Sequence, residues 1–195
     1  MRKFALAGAL ALVAFACTTA QAGVITNETD WQNAVGTWET ENFNDTTLNT
    51  GITLTTDNGI VDGALYPDKF YDNLVDENDS TTWSFLTPIG AWGGTFDLDG
   101  PGGPGSSINV YRGNALVFTG NIPNSLAGTF WGFASGALFD RVVLKEGPGT
   151  FQERYTMDNM VYSTTVVPLP PAAWLGLGLL GSLGLMRRMR RRREV

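Results

Sequence analysis

The sequence predicts an all-β fold, a jelly-roll-like β-sandwich, and three observations carry that expectation. The chain of 195 residues holds 24 Gly and 9 Pro, too many breakers for a helical bundle. Aromatic residues make up 11% of it against 16% charged, too much ring surface for a disordered chain. Between residues 23 and 165 the apolar clusters are short, bounded by Gly, Pro, Asn or Asp, and spaced as strands and turns are, with no internal repeat. A chain of this length allows one such domain plus processing signals.

Taken in order, one short helix and eight strands are expected. Asp30 opens the helix-like segment 30–35 as an N-cap ahead of Trp31. Strands are expected at 48–55, 83–87, 93–98, 107–112, 115–119, 129–134, 138–145 and 155–162, a number that suits two packed sheets. Arg112-Gly113-Asn114-Ala115 lies between two apolar runs and reads as a hairpin turn, because Gly and Asn both tolerate positive φ. Residues 99–105, DGPGGPG, are too rich in breakers for any element and read as a long connection.

Both ends of the chain read as signals. Arg2 and Lys3 precede an apolar run over 4–16, and Ala20-Gln21-Ala22 offers signal peptidase its small-x-small pattern, which places cleavage before Gly23. The run is too short for a bilayer span, which takes about 20 residues. A lipoprotein signal is the other reading, with Cys17 lipidated, although Ala14 stands where a branched aliphatic residue is usual. At the other end Val167-Pro168-Leu169-Pro170 leads into an apolar helix over 172–186 and then Arg187, Arg188, Arg190, Arg191, Arg192 and Arg193. That helix is about 22 Å long at 1.5 Å per residue, a marginal transmembrane span. Its arginines keep the C-terminus cytoplasmic and the body outside. The expected organisation is therefore a signal peptide over 1–22, an ectodomain over 23–165 and a tail over 166–195.

The tail, with its Pro motif, Pro171-Ala172-Ala173-Trp174-Leu175, Gly/Leu helix and arginine cluster, resembles a PEP-CTERM sorting signal of the variant whose motif reads VPLP. It departs from the family at Leu169, where the name-giving motif has Glu, and at Pro171, where the variant often has Ala. The resemblance implies a Gram-negative host and transient anchoring in the inner membrane. It also implies recognition of Val167, Pro168, Leu169 and Pro170 by an exosortase, a membrane Cys protease/transpeptidase, and release to the cell surface or extracellular matrix. Thr40-Glu41-Asn42-Phe43, Gly93-Gly94-Thr95-Phe96-Asp97-Leu98, Ile122-Pro123-Asn124-Ser125, Phe130-Trp131-Gly132-Phe133 and residues 155–162 resemble ectodomains of that family, which bring no activity with them.

Charge and residue usage narrow the chemistry. Residues 23–167 carry 18 acidic and 5 basic side chains, net −13, which argues against a nucleic-acid partner because phosphate would be repelled. There is no His, and Cys17 is the only Cys, so His-based triads, Cys nucleophiles and Cys/His zinc sites are excluded. No cofactor is required; a structural calcium ion is the candidate, held by Glu41 and Asp45 near the start of the module and Asp158 and Asn159 near its end, since first and last strands of jelly rolls often lie side by side. The group Asp72, Asp76, Glu77, Asn78 and Asp79 reads as a solvated loop. Among the aromatic residues Trp83, Trp92, Trp131, Tyr66, Phe70 and Tyr71, Trp92 is the candidate for stacking on a sugar because glycines surround it, whereas Trp131 reads as core. With 18 acidic residues no single catalytic pair stands out. The expected function is a non-enzymatic surface or matrix protein, structural or adhesive in exopolysaccharide or biofilm. A carbohydrate-binding module is the alternative, with a secreted glycan hydrolase behind it.

Overall fold

The computed structural model describes residues 23–76, 78–98, 105–123, 127–147 and 153–167. The expected signal peptide, Pro168 to Pro170, the apolar run and the arginine cluster lie outside these residues. In chain order the elements are β1 (Gly23–Ile25), α1 (Glu28–Val35), β2 (Glu39–Glu41), β3 (Ile52–Thr56), β4 (Ile60–Gly63), β5 (Tyr66–Leu74), β6 (Ser80–Leu98), β7 (Ser106–Arg112), β8 (Ala115–Ile122), β9 (Ala127–Lys145) and β10 (Glu153–Ser163). The fold is all-β, as expected. Every pairing is antiparallel, along the path β4-β5-β10-β6-β9-β7-β8, with β1 added on β9, β2 on β10 and β3 on β6.

The architecture turns on β6 and β9, which are 19 residues each, far beyond an ordinary strand. Their shared register breaks between Ser84 and Ile89 and again between Ile89 and Ala91. Such breaks let a strand turn a corner and serve two layers. The early part of β6 pairs with β3 and with the late part of β9, which continues into β7 and β8. The late part of β6 pairs with β10 and with the early part of β9. Contacts across the gap show that the two layers face each other. Phe70 of β5 meets Trp83 of early β6 at 5.0 Å between ring centroids, and Phe118 of β8 stacks on Phe133 of early β9 at 5.2 Å.

Alternation along early β9 separates two apolar clusters. Trp131 and Phe133 point into the main core, while Phe130 and Ala134 join a smaller one with Trp31, Val35, Ala91, Val161 and Val167. Helix α1 covers that outer face. Its Trp31 indole donates to the Phe133 carbonyl at 3.3 Å. The seat exists because β9 has a glycine there: a Cβ on Gly132 would stand 3.0 Å from the Trp31 ring.

Three sequence expectations change. The pairs 83–87 with 93–98 and 129–134 with 138–145 are single bent strands, since Pro88, Gly90, Ser135 and Gly136 act as corners within β6 and β9. The helix is capped by Asn27, whose Oδ1 accepts from the Asp30 amide at 3.0 Å, so Asp30 lies inside the first turn. Asp72 is on β5 and buried rather than in a solvated loop. The 112–115 hairpin forms as expected, with Arg112 opposite Ala115 and Gly113 at φ 57. No helix among the described residues is long and apolar enough to cross a membrane.

Candidate functional site

Helix α1 stops at Gly36, whose positive φ of 76 turns the chain before β2. Trp38 follows, just ahead of β2, and is 41% exposed. Trp31, Trp83, Trp92 and Trp131 are at most 1% exposed, so Trp38 is the described tryptophan with ring surface in water. With Thr37, Glu39, Tyr162, Ser163 and Thr164 it lines a cleft of about 110 Å³. The walls are fixed by the β2–β10 pairing, which sets Glu39 opposite Tyr162. The Ser163 hydroxyl donates to the Thr37 carbonyl at 2.6 Å and accepts from the Thr165 amide at 3.1 Å.

Glu39 and Tyr162 form the polar end of the cleft. The Tyr162 hydroxyl donates to Glu39 Oε2 at 2.7 Å, and the Asn49 side chain donates to Tyr162 at 3.4 Å and to the Thr40 carbonyl at 2.9 Å. Burial, then the bond to Glu39 and its charge, push the Tyr162 phenol up to about 12, against the opposing bond from Asn49. Tyr162 therefore stays protonated and keeps orienting Glu39. An indole edge or face beside an oriented carboxylate and several hydroxyls can pack against a sugar's C–H surface and hydrogen-bond its hydroxyls. Glu39 is the one carboxylate among the cleft's lining residues. Two facing carboxylates, which glycoside hydrolysis needs, are not assembled there.

The stacking expectation for Trp92 is corrected. It is 0% exposed in the main core, 5.9 Å from Phe96 between centroids, so no ligand can reach its face. Phe70 is equally buried, while Tyr66 and Tyr71 stack on each other at 4.6 Å and 11°. The expected neighbourhood of β2 and β10 is present, with Glu41 opposite Met160. It does not gather calcium ligands. Both Glu41 oxygens are taken, by the Phe43 amide at 3.0 Å and the Asn49 amide at 2.6 Å, and hold Phe43 at φ 55. Asp45 accepts from the Thr47 amide at 2.6 Å, and Asp158 and Asn159 sit at a register shift of β10. Among the described residues no group of three or more His, Cys, Asp or Glu could hold a metal ion. Sequence reasoning passed over Trp38; its one signal is a tryptophan between Thr37 and Glu39, two residues past a helix-stopping glycine.

Comparison with known protein families and with characterised proteins found no match. Among solved structures the chain is similar to family 29 carbohydrate-binding modules. A CBM29-2 variant is 15% identical with a TM-score of 0.46, over 67% of this chain and 94% of that one. Another CBM29-2 variant, complexed with mannohexaose, is 16% identical with a TM-score of 0.47, over 67% and 93%. The CBM29_1 module from Piromyces equi is 14% identical with a TM-score of 0.43, over 75% and 92%. A likeness at that level leaves what this chain binds to be argued from its own side chains.

Proposed function

We propose that this is an exported, surface-sorted protein whose jelly-roll-like sandwich binds glycan without catalysis, at the Trp38 cleft, and acts adhesively in an exopolysaccharide matrix. One observation carries the binding: a half-exposed indole beside a carboxylate held in place by a buried phenol. Sorting is supported by the VPLP motif, the short apolar run and the terminal arginines, which imply signal peptidase and an exosortase as processing partners. The net charge of −13 over 23–167 repels acidic polymers, so neutral glycans are the ligand class.

The test is retention of the full chain on immobilised exopolysaccharide, together with tryptophan fluorescence titrations against cellohexaose and mannohexaose. Trp38→Ala is expected to weaken binding about tenfold or more while leaving thermal stability nearly unchanged, because the ring is already in water. No reducing ends should be released. Glycan binding by Trp38→Ala equal to the parent would overturn the assignment of the cleft, and turnover would replace the non-catalytic reading.

A further inference from the structure

At the opposite end of β10 from the cleft, a carboxyl group is enclosed with no cationic side chain among the described residues set against it. Glu153 opens β10 on its core-facing side, beside Leu74 in register and one inward position from Tyr155. It is 0% exposed, and neither of its oxygens has a hydrogen-bond partner among the described residues. The Gly105 backbone amide lowers its pKa and the Glu146 charge raises it. No Lys or Arg is among the groups that set its protonation. Next to Gly105, Ser106 points inward from β7; it is 2% exposed and its hydroxyl is also unpartnered among the described residues. Its neighbour Ser107 holds the chain beyond β9 in place by donating to the Glu146 carbonyl at 2.9 Å.

Two buried polar side chains without partners, one on β10 and one following the Gly105 that bears on it, are costly unless something else satisfies them. The Glu146 charge acts on the same carboxyl, so a cation would answer both. We infer that Glu153, with Ser106 and Glu146, anchors a calcium site at this end of the sandwich. The donors are all oxygen, which excludes the softer metals that want His or Cys. Calcium accepts carboxylate and hydroxyl oxygens in irregular geometry, whereas magnesium demands near-octahedral order and retains its waters. The site differs in position and residues from the Glu41 and Asp158 grouping, in which the Glu41 and Asp45 carboxylates serve backbone amides. It also stands independently of the Trp38 cleft.

The test follows thermal unfolding of the full chain at neutral pH, stripped with EDTA and then supplied with calcium at about 1 mM. Calcium should raise the parent's Tm by about 5 °C or more. Glu153→Gln should lose that response and, in EDTA, melt at or above the parent, because an amide removes the unbalanced charge. Should Glu153→Gln fail to fold, calcium titration of Ser106→Ala and Glu146→Gln replaces it, with affinity expected to fall about tenfold in each. A parent indifferent to calcium overturns the site. So does a Glu153→Gln protein that still responds, an unchanged affinity in both other variants, or an equal shift with magnesium.

Discussion

Asp72 is a carboxylate placed fully inside the sandwich, and hydroxyls hold it there. Its Oδ2 accepts from Thr56 at 2.6 Å and from Thr81, and its Oδ1 accepts from the Asn73 amide at 2.7 Å. Thr81 in turn accepts from the Tyr155 hydroxyl at 2.6 Å, so β5 and β10 of one layer are tied to early β6 of the other. Burial, then the Asp72 charge, raise the Tyr155 phenol well above its ordinary value, and it remains a donor throughout. Thr81→Val should cost about 2–4 kcal/mol in urea unfolding, since it leaves both Asp72 and Tyr155 short of a partner. Tyr155→Phe removes a donor and orphans nothing charged, so about 1 kcal/mol is expected. Equal losses would mean that Thr81 is not the bridge. Glu153 behaves differently because burial, and then the Glu146 charge, raise its carboxyl above 4.5 with only Gly105 opposing. The folded protein then holds that proton more tightly than the unfolded chain. Without calcium, the contribution of this one group to stability should be present below the ordinary carboxyl range and be lost as pH rises through its raised value, and Glu153→Gln should remove that component of the pH profile. Neither residue was legible from its neighbours. An acidic side chain in the run Tyr71-Asp72-Asn73 looks solvated until its strand and facing layer are known, and Trp92 among glycines looks exposed because glycine marks turns as often as close packing.

Bends and alternation decide what could be read of the elements. Residues 107–112 and 115–119 were legible because Arg112 to Ala115 gives a turn between apolar runs. The corners inside β6 and β9 were not, since Pro88, Gly90 and Gly136 carry the same signature as chain-reversing loops. β5 was hidden for another reason: Phe70, Asp72 and Leu74 all point inward, and the middle one is an acid, which breaks the apolar alternation by which strands are recognised. The close pairing of β6 and β9 beneath α1 places Gly93 and Gly132 opposite each other. A Cβ on Gly93 would meet the Gly132 backbone at 2.8 Å and the Trp131 carbonyl at 2.9 Å, contacts that only a backbone shift relieves. On Gly132 it would meet side chains rather than backbone, the rings of Phe130 at 2.9 Å and Trp31 at 3.0 Å. Gly93→Ala is expected to cost about 1–3 kcal/mol, and Gly132→Ala less, with a change in Trp31 fluorescence. Urea titration of the two variants checks the order, and the reverse order would show that α1, not the strand pairing, is the tighter contact.

Over the whole molecule, the small cluster around Trp31 gathers both ends of the described fold. Ile25 of β1 packs against it, and Val167 is 6% exposed within it, its amide donating to the Ser135 carbonyl at 3.2 Å. Removing the indole in Trp31→Ala should therefore loosen the first strand and the exit of the chain together, at a cost of about 3–5 kcal/mol, and hydrogen exchange would show both ends opening at once. The same arrangement sets limits on processing. Cleavage before Gly23 leaves β1 whole on β9, whereas a cut a few residues later strips an edge strand. A cut at or beyond the Val167–Pro168 bond keeps Val167 docked over Trp31; one before it uncovers the cluster. The protein recovered from surface washes and culture supernatant is thus expected to have an intact mass that starts at Gly23 and ends at or just after Val167. Retention of Arg187 to Arg193 in that mass would refute sorting by an exosortase and leave a membrane-anchored sandwich. An end before Val167 would overturn the expected cleavage position.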